Sequence, residues 1–421
     1  MVRVLKLLGW ALLLASAGAQ ASEAPARYAF VVGADLSLVE TSGHPSWTSG
    51  SAGKLRYDED SDGLRISRLF ADYHYRLADT LDAVAMLEAY DDDVGSGIDF
   101  TQAYLEWRPL TMSANRYRLK LGGFYPRLSL ENRGPGWTTP YTISSSAINT
   151  WIGEEIRIFG AEFSVSRRPE LLGGAHTFSF HAAGFKHNDP AGGLIAWKGW
   201  SVHNRQSRFD DVLPLPPLPQ IQPAGFFRRQ DPFFIPFQEN DGDIGWYASG
   251  EWQYRNRFLL RAMRYDNRAD PRDIHRRQYG WYTEFDHLGL QLTLPGDVGL
   301  ISQWMKGETV MGPVINGAHV VDNAFYSNFV LLTRAFDRHR LSARYDHFEI
   351  TEKDRVPLDE NAERGHAWTL AWIYTASDVA NLAVEWLQIH TARPAWAYND
   401  LAVSETERQV QLSLQLRFGN R

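Results

Sequence analysis

One short segment gathers the side chains best able to engage an ion. Tyr125-Pro126-Arg127-Leu128-Ser129-Leu130-Glu131-Asn132-Arg133-Gly134-Pro135-Gly136-Trp137 brings together two guanidiniums, a carboxylate, an amide and a phenol. Its prolines and glycines keep it out of a regular strand or helix. Both signs of charge so close together could order or sort ions at a narrow place. They could equally be solvated charges on an ordinary loop. Other candidates carry less. Asp58-Glu59-Asp60-Ser61-Asp62-Gly63 imitates the start of a calcium loop, but its twelfth position is Leu69 where a bidentate Glu belongs. Asp91-Asp92-Asp93 and Asp241-Gly242-Asp243 read as solvated acidic clusters. There is no Gly-x-Ser-x-Gly elbow, Walker A motif or His-Glu-x-x-His pair. The 13 histidines are scattered, and His181 and His287 read as strand residues. The absence of cysteine excludes disulfides and thiolate metal sites. We therefore expect no metal centre and no cofactor.

The elements that position these residues follow from the ends and the periodicity. Met1–Ala21 reads as a secretory leader: Arg3 and Lys6 precede the apolar run Leu7–Ala15, and Ala19-Gln20-Ala21 fits the cleavage rule. Its removal takes two positive charges and no acid, so the net charge goes from −7 to −9. That balance argues against a protein held on nucleic-acid phosphates. No later run of 18 apolar residues exists, so the mature chain, residues 22–421, should lack membrane helices. A protein that leaves the cytoplasm without such helices is either soluble or a closed β-barrel.

Alternation with period 2 favours the barrel. Val410, Leu412, Leu414, Leu416 and Phe418 share one face, and Gln409, Gln411, Ser413, Gln415 and Arg417 the other. Residues 28–38 and 246–253 repeat the pattern. A strand between lipid and water must read this way, although a sandwich strand can too. The spacing predicts strands at 27–40, 64–77, 80–91, 98–108, 116–124, 154–166, 176–187, 244–254, 257–266, 278–292, 297–309, 323–335, 340–351, 366–377, 381–391 and 405–418. Long gaps at 41–63, 92–97, 125–153, 188–243, 267–277, 310–322, 352–365 and 392–404 alternate with short ones. Outer-membrane barrels pair long external loops with short periplasmic turns in this way. The expected fold is all-β: an antiparallel transmembrane barrel of about 16 strands. Tyr73, Tyr75, Trp107, Trp252, Trp304, Trp372 and Trp386 fall where such barrels place aromatic girdles. Parity turns Arg68, Arg76, Arg118, Lys120, Arg344 and Arg417 inward. It does the same for Asp35, Asp72, Glu88, Glu106, Glu162, Glu251, Glu284 and Asp346. The partners of such a barrel are small hydrophilic solutes or ions inside, and outer-membrane lipids and lipopolysaccharide outside.

Gly122-Gly123-Phe124-Tyr125-Pro126-Arg127-Leu128-Ser129-Leu130-Glu131 resembles the Gly-x-Phe-x-x-Pro-x-Ser-x-Glu pattern of the phosphate-selective porin O and P family. Thr101–Trp107 and Arg65–Phe70 also resemble that family's strands, so the likeness covers roughly 64–166. It implies a third loop folded into the lumen, with Tyr125, Arg127, Glu131, Asn132 and Arg133 at the constriction. It further implies passive diffusion of small hydrophilic or anionic solutes, and a homotrimer. The basic ladder and lysine cluster behind phosphate selectivity have no match here. The fourth gap is unusual. It holds Arg205, Arg208, Arg228, Arg229 and the run Leu213-Pro214-Leu215-Pro216-Pro217-Leu218-Pro219, which cannot be strand. It reads as a lid or as a source of ligands. A barrel hydrolase with Ser, His and an acid at the rim, and a barrel plugged by its own loops, are the alternatives.

Overall fold

The computed structural model describes residues 27–167, 174–315 and 317–420; the leader at 1–21 lies outside them. Sixteen antiparallel strands close into one barrel. In chain order they are β1 Tyr28–Ser42, β2 Gly63–Ala78, β3 Leu81–Asp92, β4 Gly95–Trp107, β5 Asn115–Phe124, β6 Ile158–Arg167, β7 His176–Lys186 and β8 Gly245–Tyr254. Then come β9 Phe258–Asp266, β10 Tyr282–Leu294, β11 Val298–Ile315, β12 Ala318–Phe336, β13 His339–Glu352, β14 Glu363–Ser377, β15 Ala380–Ala392 and β16 Ser404–Gly419. β16 pairs with β1, Phe418 opposite Val32 and Ser413 opposite Ser37, so the sheet has no free edge. All eight long gaps of the sequence open at one mouth. An apolar exterior on a closed sheet makes this an outer-membrane barrel.

Parity holds across the barrel. Leu38 and Leu412 face out, while Ser37, Gln411 and Ser413 are buried inside. One extra residue, Ser67, bulges between Ile66 and Arg68, where Leu36 and Asp35 sit opposite. Part of the expected girdle gathers at the turn end, where Tyr73 stacks on Tyr75, Phe178 on Trp252 and Trp372 on Tyr374, whereas Trp304 and Trp386 lie in mid-strand.

Two expected loops are hairpins instead. The gap at 92–97 shrinks to residues 93–94, because Ser96 and Gly97 pair with Asp91 and Tyr90. The gap at 310–322 is spanned by β11 and β12, whose Val310 and Met311 pair with Asp322 and Val321. Burial of Met311, Val320 and Val321 among Trp197, Trp281 and Leu213 rewards this extension. The strand expected at 154–166 begins only at Ile158, since helix α1, Ala147–Glu155, occupies the start. The strand expected at 278–292 begins at Tyr282, because Gln278–Tyr279 pairs with Ile274–His275.

The lumen is not hollow throughout. The third loop, 125–157, folds inward and carries α1, every residue of which is buried. Ser146 caps it, accepting from Asn149 N at 3.4 Å. The fourth loop, 187–244, lies over it with a short helix α2, Gly193–Trp197. Trp151 of α1 packs edge-on against Trp200, Phe285 and Phe325, with ring centres 5.2–6.0 Å apart. This core reverses the usual polarity of the upper strands. Phe285, Met305, Phe325 and Phe348 point inward, and Glu284 points outward with Arg264 as its partner, contrary to the inward position expected for it. Trp151→Ala should cost about 3–5 kcal/mol, read as a lower urea midpoint in detergent while strand content is retained.

Candidate functional site

The third loop is tied to the wall around most of the barrel's circumference. Arg68 on β2 donates to Gly136 O at 2.6 Å, and Arg261 on β9 to Leu128 O and Ser129 O at 3.1 Å. Gln303 on β11 accepts from Leu130 N at 2.9 Å. Glu385 on β15 accepts from Ile143 N at 2.6 Å and Ser144 N at 3.1 Å. Arg344 on β13 does most. Fully buried, it pairs with Glu131 at 2.7 Å and Asp346 at 2.8 Å, and donates to Ser144 O and Ser145 O. Asp346 in turn accepts from Ala147 N at 3.0 Å, at the first residue of α1.

The five candidates on the loop divide into two groups. Tyr125 is buried, stacked on Trp137 at 4.0 Å, with the Arg157 guanidinium 3.6 Å from its ring centre. Glu131 receives Ser146 N, Asn149 Nδ2 and Arg344. Asn132 donates to Trp137 O and Ser145 Oγ. These three set the loop's shape. Arg127 is half-buried and Arg133 exposed, and among the described residues neither has a carboxylate partner. Burial lowers both guanidinium pKa values from the usual arginine value. Arg127 lies in the field of Arg261, Arg118, Glu251 and Glu162, and Arg133 in that of Tyr141 and Glu251. A polar cavity of about 320 Å³ toward the turns is lined by Thr139 and Pro140 of the loop and by Arg338, Arg340, Asn381 and Gln415 of the wall.

The wall candidates also divide. Arg68 and Glu88 form a buried pair, with Tyr90 and Gln206 also on Glu88. Asp72 lies 3.1 Å from His74. Glu251 holds Arg261 at 2.5 Å. Nearer the turns, Arg76 pairs loosely with Asp82 at 3.8 Å. Arg118 bridges Glu106 and Glu162, each at 3.6 Å. Lys120 lies over the rings of Tyr104 and Phe124. Arg76, Glu106, Arg118 and Lys120 thus sit on the turn side of the wall, and the residues that anchor the third loop lie farther toward the loops. Arg261, Gln303 and Glu385 escaped notice in the sequence, although Glu385 has inward parity in a correctly placed strand.

The fourth loop seals the assembly from outside. Arg205 pairs with Asp92 at 2.8 Å and Asp211 at 2.9 Å, and Arg208 with Asp211 at 2.8 Å. Asp92 is thus a buried partner, not one of a solvated cluster. Arg205 and Arg208 are likewise spent on the lid. Asp58 of the calcium-like run caps its own turn at Ser61 N. Asp189, Glu239 and Asp241 bring carboxylate oxygens within 4.8 Å of one another. Asp189 already accepts Asn240 N at 2.5 Å, which gives this cluster a role in closing its turn.

α1 and the fourth loop meet through Glu154, Glu155, Lys198 and His203. Glu154 binds Lys198, and lies 2.9 Å from His203 Nε2. Burial alone would raise the Glu154 carboxyl, but Lys198 and His203 bring it down to about 2. Burial pushes His203 down to about 4 against the pull of Glu154. Glu155 accepts Gly192 N, Leu194 N and Trp151 Nε1, yet burial drives it up to about 7. No charge relay is assembled here, since Ser201 Oγ and Glu154 both approach the same nitrogen of His203.

No family model matches the chain, and no curated protein matches it. Solved structures resemble it in barrel architecture. The outer membrane channel DcaP of Acinetobacter baumannii is 14% identical, with a TM-score of 0.49 over 93% of this chain and 96% of that one. An anion-selective porin from Comamonas acidovorans is 12% identical, TM-score 0.46, over 93% and 98%. OprB of Pseudomonas putida is 9% identical, TM-score 0.49, over 93% and 94%.

Two outcomes follow. Arg344→Ala leaves Glu131 and Asp346 buried without their cation, and should cost about 3–5 kcal/mol, seen as faster proteolysis of the third and fourth loops. The neutral His203 contributes fully above the unfolded imidazole value near 6.5, and its contribution is lost as pH falls to about 4. The stability gap between wild type and His203→Gln should therefore be present at pH 7 and shrink through that window in paired urea titrations.

Proposed function

We propose that this chain is an outer-membrane channel for small hydrophilic solutes, closed externally in this conformation by its third and fourth loops. The supporting observation is the contrast along the lumen axis. On the turn side of the third loop the wall carries Arg76, Glu106, Arg118 and Lys120 at inward parity and a polar cavity of about 320 Å³ opens, while Arg127 and Arg133 of the loop have no ion-paired carboxylate among the described residues. Above the cavity, α1 and the fourth loop pack the interior. A barrel serving only as scaffold would gain nothing from uncompensated charges at the floor of that packing. The closing contacts are ion pairs, hydrogen bonds and side-chain packing between loops and wall, and none of them is a strand pairing, so displacement of the loops opens the path without unmaking the sheet.

With Arg127 and Arg133 at the constriction, that region is locally positive, which favours small anions there. The net charge of −9 expected once the leader is removed and the paired acids of the wall temper this, so selectivity is modest. Membership of the phosphate-selective porin family rests on the Gly122–Glu131 pattern, and the homotrimer on that resemblance. The solved OmpT of Vibrio cholerae includes a trimer form, in keeping with this assembly.

Reconstituted protein should conduct in planar bilayers in rare or voltage-assisted openings. Arg344→Gln, which weakens the central anchor, should raise the open fraction. Replacing Arg127 and Arg133 together by Glu should move the mixed-salt reversal potential toward cations. Silent membranes for wild type and Arg344→Gln alike would reject the channel reading.

A further inference from the structure

The outward face of β13, β14 and β15 carries three histidines in one cross-strand row. His347 stands opposite His366, and His366 opposite His390. Their neighbours in sequence Asp346, Ala367 and Ile389 are buried inside, which turns the imidazoles toward the surroundings. The row lies between Trp368, 45% exposed, and Arg364, whose side chain is 75% exposed. That is the level at which a barrel surface passes from hydrocarbon to headgroups. Tyr345 and Trp368 already supply the aromatic anchors of this level, so three further imidazoles are not needed for that purpose.

The ring centres of His366 and His390 are 5.5 Å apart, with planes at 42°. Two imidazoles on one tetrahedral ion, each nitrogen about 2.0–2.1 Å from the metal, hold their ring centres about 5 Å apart. The pair therefore stands near chelating distance as it is. Among the described residues, neither the His347 nor the His366 imidazole has a hydrogen-bond partner. His390 uses only Nδ1, against Thr406 Oγ1 at 2.9 Å, which leaves Nε2 free. A bond to the other ring nitrogen is what commonly orients a metal-bound imidazole.

We propose that His366 and His390, with His347 as third ligand, bind a divalent transition-metal ion such as Zn²⁺ or Cu²⁺ on the outer wall at headgroup level. Directly opposed strand residues have Cβ atoms about 4.5–5.5 Å apart, within reach of a leaning imidazole. Water fills the remaining positions. Nitrogen ligands suit Zn²⁺, Cu²⁺ and Ni²⁺ and not the hard cations Ca²⁺ and Mg²⁺. The site is independent of the lumen and of any conduction through it.

The test uses untagged full-length protein in detergent, titrated with Zn²⁺ by calorimetry and with Cu²⁺ by electron paramagnetic resonance. One ion per chain is expected, with nitrogen hyperfine structure and no competition from Ca²⁺. His366→Asn or His390→Asn should weaken binding at least about tenfold, and His347→Asn by less. These side chains face outward, and the heat-modifiable gel mobility of the folded barrel checks that each variant is intact. Affinity unchanged in both variants, a signal without nitrogen coupling, or loss through Asp189→Asn instead would overturn the proposal.

Discussion

The buried Arg344 guanidinium is the contact on which the interior depends. It joins a wall strand to the third loop through Glu131 and two carbonyls, and beside it Asp346 holds the first turn of α1. A charge removed from water is tolerable only when its donors are nearly all engaged. Here the Arg344 donors are met by two carboxylates, backbone oxygens and the Thr369 hydroxyl. The same geometry fixes where the loop crosses the lumen. Above the crossing the interior is a packing problem, and toward the turns a polar cavity remains.

That division explains how the wall departs from the simple rule of polar inside and apolar outside. Toward the turns the rule holds, with Arg76, Glu106 and Arg118 at inward parity. Toward the loops the lumen-facing residues meet α1 and Trp200, so Phe285, Phe325, Phe348 and Ile389 are apolar. The outer face is correspondingly freer to carry Arg264, Glu284 and the histidine row. The content of the lumen, not only the membrane, has shaped the pattern of these strands.

Legibility in the sequence followed the same line. The barrel, its strand count, part of its girdle and the inward third loop were readable, because period 2 and loop parity are local signals. Glu284 was misplaced because its strand is read against a protein core. α1 falls almost wholly within the expected gap at 125–153, with only Glu154 and Glu155 in the strand expected at 154–166; a helix buried on all sides has no polar face to reveal it. The β3–β4 and β11–β12 hairpins were hidden because Asp91, Asp92, Gly95, Gly312 and Gly317 near their ends resemble loop sequence. Within the candidate site, Arg127 and Arg133 have no ion-paired carboxylate among the described residues. Tyr125, Glu131 and Asn132 turned out to hold the loop, because their partners Arg157, Arg344 and Ser145 are distant in sequence or on the loop's far limb.

The attachment of the third loop has a consequence for the order of assembly. Its anchors come from β2, β9, β11, β13 and β15, strands spread over most of the chain. They converge only when β16 has met β1 and the circle is complete. Until then the loop lacks its full set of partners, and closing so many long connections individually would be costly in chain entropy. The interior therefore consolidates after the wall. Its ordering serves as an internal record that the last strand has found the first.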